Sequence, residues 1–132
     1  MSGLSFDHVA LTVADIERSV AFYEAFGFKK VIDYQDEDTG LNLVHMQLGE
    51  CYIELFAKAD VKPGVVSNEF AGNIDTIGLK HLALRSEDLK ASVGALKKKG
   101  IEPEAGIKAG RTVKYLAFFR DPDGNWVEIA QR

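Results

Sequence analysis

FDHVALTVADIERSVAFYEAFGFKK, residues 6–30, has a near double in LKHLALRSEDLKASVGALKKKGIEP, residues 79–103. A constant offset of 73 pairs His8 with His81, Ala10 with Ala83, Leu11 with Leu84, Asp15 with Asp88, Ser19 with Ser92, Val20 with Val93 and Gly27 with Gly100. Further on, CYIELFA from Cys51 resembles NWVEIAQ from Asn125, which pairs Tyr52 with Trp126 and Glu54 with Glu128 at an offset of 74. A one-residue slip in the loops accounts for the change. Repetition at one spacing marks a duplicated structural unit, and the fold follows from reading one copy.

Each copy starts with a strand. Val9, Leu11 and Val13 alternate with His8, Ala10 and Thr12, the two-residue period of a half-buried strand. A helix follows, with Asp15 placed as its N-cap, Ile16, Val20 and Tyr23 at helical spacing, and Gly27 where a C-terminal glycine belongs. The second copy repeats this with Asp88, then Leu89, Val93 and Leu96, then Gly100. Three further strands are predicted over 29–36, 41–48 and 51–56, and again over 101–105, 112–120 and 125–131. The order βαβββ, twice, predicts an α+β fold. Module one spans 5–57, a connector 58–77 and module two 78–132, all within one domain. A connection of that length is often functional or mobile.

Composition narrows the function. A chain of 132 residues, 46% hydrophobic and 27% charged, is that of an ordered globular protein with room for a core. A net charge of −4 without a basic stripe argues against nucleic-acid partners. MSGLSFDH at the N-terminus lacks the basic and apolar segments of a signal peptide. No apolar run approaches the roughly 20 residues of a membrane span. Cys51 is the single cysteine, which excludes an intramolecular disulfide and a multi-cysteine metal site. A soluble cytoplasmic protein, off the membrane, is expected.

Alternation then assigns the faces. His8, Ala10 and Thr12 share one side of the first strand, and His81, Ala83 and Arg85 the same side of its copy. On the last strands Ile53 and Leu55, and Val127 and Ile129, take the helix side, which turns Glu54 and Glu128 the other way. A carboxylate in an apolar strand is costly unless paired, protonated, solvated or bound to a metal. Two neutral imidazoles and two carboxylates make an N₂O₂ donor set suited to Ni²⁺, Co²⁺, Zn²⁺, Fe²⁺ or Mn²⁺, with positions open for substrate. Taken singly, a strand histidine is usually a hydrogen-bonded structural residue and a strand glutamate usually faces solvent. Recurrence of the His/Glu pair in both copies favours the metal, although duplication also copies structural residues.

With those residues in place, the chain resembles the vicinal oxygen chelate superfamily of glyoxalases, bleomycin resistance proteins and dioxygenases. The likeness covers almost the whole sequence, and DIERSVAFYEAFGF and FFRDPDGNWVEI are both typical of it. It implies a curved, barrel-like mixed sheet around a divalent metal. Bacterial glyoxalase I-like proteins carry a His, Glu, His, Glu set, which here matches His8, Glu54, His81 and Glu128. The resemblance therefore implies a lyase or isomerase acting on the hemithioacetal of a 2-oxoaldehyde and a thiol, like lactoylglutathione lyase. Glu128 and Glu54 are the implied catalytic carboxylates, a thiol adduct the substrate, and a homodimer the assembly. One departure stands out: Thr12 and Lys58 occupy the places of the usual glutathione-holding Arg and Asn. The alternatives on the same fold are a thiol transferase of the fosfomycin-resistance type, a dioxygenase, or a small-molecule-binding resistance protein without catalysis.

His45, Arg85, Tyr115, Phe119 and Trp126 complete the expected substrate-contacting set. If Gly49–Glu50 closes a two-residue hairpin, His45 falls opposite Glu54, either to orient it or to touch the substrate. Cys51 shares the parity of Ile53 and reads as a small core residue. Lys108, Arg111 and Lys114 form a glycine-bearing basic rim or a plain solvated loop, and DPDG at 121–124 is a turn without chemistry.

Overall fold

The computed structural model describes residues 3–132 and divides the chain into two compact units, Met1–Pro63 and Gly64–Arg132. Met1 and Ser2, which begin the N-terminal stretch read for a signal peptide, lie outside the described residues. The first unit holds β1 (His8–Thr12), α1 (Ile16–Ala25), β2 (Lys29–Gln35), β3 (Asn42–Leu48) and β4 (Cys51–Ala57). The second holds β5 (His81–Arg85), α2 (Leu89–Lys98), β6 (Lys108–Ala109), β7 (Tyr115–Arg120) and β8 (Trp126–Gln131). Each forms one four-stranded mixed sheet, ordered β1-β4-β3-β2 and β5-β8-β7-β6. In both, the first strand lies parallel to the last and the rest of the ladder is antiparallel. The α+β repeat is thus present with its βαβββ order intact. From Gly64 onward, most of the segment expected to link the modules belongs to the second unit.

The helices begin and end as their caps dictate. Asp15 is extended at φ −138° and its carboxylate accepts from the Arg18 N–H at 3.1 Å; Asp88, at φ −141°, accepts from Ala91 N–H at 3.0 Å. Each such cap is worth about 1 kcal/mol. Gly27 and Gly100 sit at φ +102° and +82°, a region costly for a side chain bearing Cβ. That turn lets Phe28 and Ile101 donate back to the Tyr23 and Leu96 carbonyls at 3.1 and 3.0 Å, closing both helices.

The helix side of each sheet carries its core, and in module two Phe118, Trp126 and Ala130 are buried on the other face as well. In module one Val13, Tyr23, Phe28, Val44, Met46, Ile53 and Leu55 are buried; in module two Leu89, Val93, Leu96, Ala117, Phe119, Val127 and Ile129 are. Burying a side chain of this size stabilises by about 1.5–3 kcal/mol, so these positions hold the sheet to its helix. No helix among the described residues is long and apolar enough to cross a membrane.

Three expectations are corrected. The strand predicted over 101–105 is irregular, and only Lys108–Ala109 forms a ladder. Pro103 has no N–H to donate, and the Glu104 N–H to Phe118 O bond at 2.8 Å is a single contact. β7 starts at Tyr115 rather than 112. Cys51 is exposed: its parity is that of Ile53, but it opens its strand at the sheet's end, where Sγ contacts the Phe6 carbonyl at 3.9 Å.

Candidate functional site

The register of module one brings three of the singled-out residues to one face. His8 stands beside Tyr52, Ala10 beside Glu54, and His45 directly opposite Glu54 across β3 and β4. The two-residue Gly49–Glu50 hairpin sets that last pairing, with Leu48 opposite Cys51 and Gly49 at φ +60°. His45 Nε2–H donates to Glu54 Oε2 at 2.6 Å. The other carboxylate oxygen, Oε1, faces His8 Nε2 at 3.8 Å. His8 Nδ1–H donates to Asp7 Oδ2 at 2.6 Å. This bond is the main reason the His8 pKa lies above its ordinary 6.5, helped by the charges of Glu54 and Asp7 and opposed by desolvation.

Module two repeats the pair with different neighbours. His81 stands beside Trp126 and Ala83 beside Glu128. His81 Nε2 faces Glu128 Oε1 at 3.4 Å, and His81 Nδ1–H donates to the Ala71 carbonyl at 2.8 Å. Because a carbonyl only accepts, the Nδ1 proton is fixed and Nε2 of the neutral ring carries its lone pair toward the carboxylate. Ala71 holds the left-handed φ of 65°, and a Cβ on the next residue, Gly72, would stand 2.9 Å from the Lys80 carbonyl. A tight backbone crossing therefore aims the acceptor at His81.

The two pairs share one chemical feature. Each imidazole is tied through Nδ1 to a fixed acceptor, which leaves an Nε2 lone pair facing a carboxylate oxygen. Two acceptors face each other favourably only with a proton or a cation between them. Ligand atoms at about 2.0–2.1 Å from a divalent ion stand roughly 3–3.5 Å apart; the 3.4 Å of module two lies in that range and the 3.8 Å of module one slightly beyond it. An acceptor on the remote ring nitrogen is also what orients metal-binding histidines. The donor set thus fits a divalent ion. Among the described residues no group of three or more His, Cys, Asp or Glu side chains is arranged to hold a metal ion, so each module by itself presents a His/Glu pair.

The aromatic expectations need correction. Phe119 is fully buried opposite Val127, on the face of the core, and Tyr115 lies on that same side opposite Gln131. Phe118 takes the place expected of Phe119. It lies opposite Glu128, with its ring edge-on to His81 at 4.9 Å. Trp126 lies on the expected face but is buried: its Nε1–H donates to the Ser67 carbonyl at 2.9 Å, Phe70 packs on it, and the Arg120 guanidinium lies 4.6 Å above its ring. A cavity of about 390 Å³ opens beside it, between Trp126, Asn125 and residues 65–80. Arg85 is exposed at the end of β5, on the His81 face. In the basic rim, Lys108 Nζ sits over the Phe70 ring at 4.2 Å. Sequence reasoning missed Asp7, Ala71, Phe118 and Arg120. Asp7 had a readable signal, a carboxylate adjoining a candidate ligand; the Ala71 carbonyl had none.

Comparisons with known proteins bear on the family and the fold. The family model for the Glyoxalase/Bleomycin resistance protein/Dioxygenase superfamily matches residues 5–129. The uncharacterized protein YwkD of Bacillus subtilis is 35% identical over 97% of this chain and 97% of its own. A lactoylglutathione lyase of Pseudomonas putida is 29% identical over 96% of this chain and 84% of its own. The crystal structure of a glyoxalase family protein from Enterococcus faecalis superimposes with a TM-score of 0.79, at 23% identity, over 98% of this chain and 99% of that one.

Proposed function

The chain belongs to the Glyoxalase/Bleomycin resistance protein/Dioxygenase superfamily, and within it we propose a metal-dependent lyase of the lactoylglutathione lyase type. The reading rests on one observation above all: both modules present an Nε2 lone pair to a carboxylate, with the opposite ring nitrogen held by an acceptor. His8, Glu54, His81 and Glu128 would hold the ion, one of Ni²⁺, Co²⁺, Zn²⁺, Fe²⁺ or Mn²⁺. When bound, a divalent ion stabilises the negative charge that develops on substrate oxygens as an adjacent C–H proton leaves.

The residues of this chain then handle the proton and the fit. The substrate is the hemithioacetal of a 2-oxoaldehyde. Glu128 accepts its C–H proton on a carboxylate oxygen and returns it to the neighbouring carbon, while the hydroxyl proton passes from the first carbon's oxygen to the second's, leaving an α-hydroxy thioester of the same composition. Glu128 has 13% of its side chain exposed, against 20% for Glu54, and this drier setting strengthens the electrostatics of the transfer. Thr12 and Lys58 lack the groups expected to grip glutathione, so the thiol is held in another way or is a different one. A homodimer is the expected assembly. Val31, Ile32 and Tyr34 on β2 leave 47–55% of their surfaces exposed, an apolar edge that a second copy would cover, and light scattering measures it.

Metal analysis of untagged protein, beside Glu128→Gln and His81→Ala, comes first. Roughly one equivalent of transition metal in the wild type and less in the variants is expected. Methylglyoxal with a panel of thiols should then turn over in a metal-dependent way, and Glu128→Gln should lower kcat about 10²–10⁴-fold. If supplied Ni²⁺, Co²⁺ and Zn²⁺ all fail to bind, the lyase reading falls and a metal-free binding protein takes its place.

A further inference from the structure

Across the whole chain there are three histidines, and their hydrogen bonds do not treat them alike. His8 and His81 each give the Nδ1 proton to an acceptor, Asp7 or the Ala71 carbonyl, and turn Nε2 toward a glutamate. His45 is reversed. Its Nε2 sits 2.6 Å from Glu54 Oε2, a distance that two unprotonated acceptors do not tolerate, so Nε2 carries the proton. It is also the member of the cluster without a twin. Phe118, opposite Glu128, is its structural counterpart in module two, and a phenyl ring donates no hydrogen bond of this kind.

We propose that His45 is a positioning residue that fixes Glu54 through one carboxylate oxygen, so that the two repeated pairs do different work. This deepens the lyase reading and rests on it for its catalytic consequence. With Oε2 held, the Glu54 carboxylate keeps Oε1 turned to His8. It then serves as a fixed ligand that neither rotates nor leaves. Glu128 stands opposite Phe118, which offers no donor, and its carboxylate keeps the freedom that proton transfer requires. His45 is packed to keep this geometry: its ring lies 5.7 Å from that of His8 and 5.6 Å from that of Tyr52. A ring packed against two others at one end of a 2.6 Å bond has little rotamer freedom left to lose when substrate arrives. Preorganisation of a ligand by such a neighbour is commonly worth 10–100-fold in metal affinity.

The test has one readout that needs no metal and one that does. In the metal-free protein, at a pH raised until the ring ¹⁵N shifts stop changing, those shifts should show His45 protonated at Nε2 and both His8 and His81 protonated at Nδ1. A His45 with its lone pair on Nε2 overturns the proposal whether or not the protein is an enzyme. The second readout is Zn²⁺ affinity by chelator competition. His45→Phe, which copies module two, should weaken binding about 10–100-fold, and His45→Gln, which keeps a donor, should recover most of the loss. Phe118→His, which copies module one, should lower kcat with methylglyoxal adducts by about tenfold or more while leaving Zn²⁺ affinity within a few-fold. Wild-type affinity in a folded His45→Phe variant, or an unchanged kcat in Phe118→His, sinks the division of labour. A wild type that binds Zn²⁺ as expected but turns over no hemithioacetal sinks the lyase reading alone and leaves His45 as the residue that sets Glu54.

Discussion

Module one and module two repeat one sequence pattern at a nearly fixed offset, and the positions where they part show how their chemistry differs. The shared features are the ones that build: Asp15 and Asp88 cap the helices, Gly27 and Gly100 end them, and the same sheet order follows. The differing features surround the conserved pairs. Module one sets an imidazole beside its glutamate and module two a phenyl ring. Module one holds its histidine through the adjoining Asp7; module two reaches ten residues back, to a backbone carbonyl on a strained turn. Duplicated scaffolding with unequal surroundings is how two identical side-chain pairs acquire different chemistry.

The largest effect expected from perturbing this comparison is in the cores. Tyr23 is fully buried and Leu96, its counterpart, 4% exposed. Tyr23→Ala should cost about 3–5 kcal/mol and Leu96→Ala about 2–5 kcal/mol. Native-state hydrogen exchange should report each loss first in the sheet of the mutated module. Equal loosening of both sheets by either change would mean that the modules unfold as one cooperative body.

A smaller effect separates the paired serines. Ser92 Oγ lies 2.7 Å from Ser86 Oγ, whereas Ser19 Oγ, wholly buried, has no hydrogen-bond partner among the described residues, because Val13 occupies the place of Ser86. Ser92→Ala should therefore cost about 1 kcal/mol, and Ser19→Ala should be neutral or stabilising. Urea midpoints of the two variants decide it; a larger loss at Ser19 would break the argument.

The smallest effect belongs to the long β2 strand, where the two-residue β6 offers no equivalent. Asp33 accepts from Asn42 Nδ2 at 2.8 Å and from Lys30 Nζ at 3.1 Å, and chiefly the Asn42 bond holds its pKa below the usual 3.8. A depressed folded pKa adds stability above the unfolded value and loses it as pH falls through the folded one. The wild type should therefore exceed Asp33→Asn slightly at neutral pH, and the gap should close in acid below the carboxylate range. Asp33 is well exposed, so solvent keeps the difference small.

Legibility in the sequence followed the range of the forces involved. Alternation along β1 and β4 placed His8 and Glu54 on one face, since a strand's period is local. The His45–Glu54 pairing was readable too, because a two-residue hairpin fixes register by counting. The five-residue turn at 121–125 permits no such count. It is organised by the Asp121 side chain, which accepts from Asp123 N, Asn125 N and Asn125 Nδ2 at 2.8–2.9 Å, and the parity of β7 relative to Glu128 depends on that closure. The strand pattern by itself therefore does not tell Phe118 from Phe119 as the residue facing Glu128.

The duplication and the four residues repeated in step are legible as matches at a near-constant offset, and the caps and strand faces are legible because each depends on neighbours a few residues apart. Tertiary structure decided which atoms those residues present. Whether a histidine turns Nε2 or Nδ1 toward its glutamate depends on which acceptor waits on its other side. For His81 that acceptor is the carbonyl of Ala71, delivered by a chain crossing at Gly72 and Lys80 that no local pattern specifies. A proton's position on a ring is set by whatever the fold brings within hydrogen-bond reach.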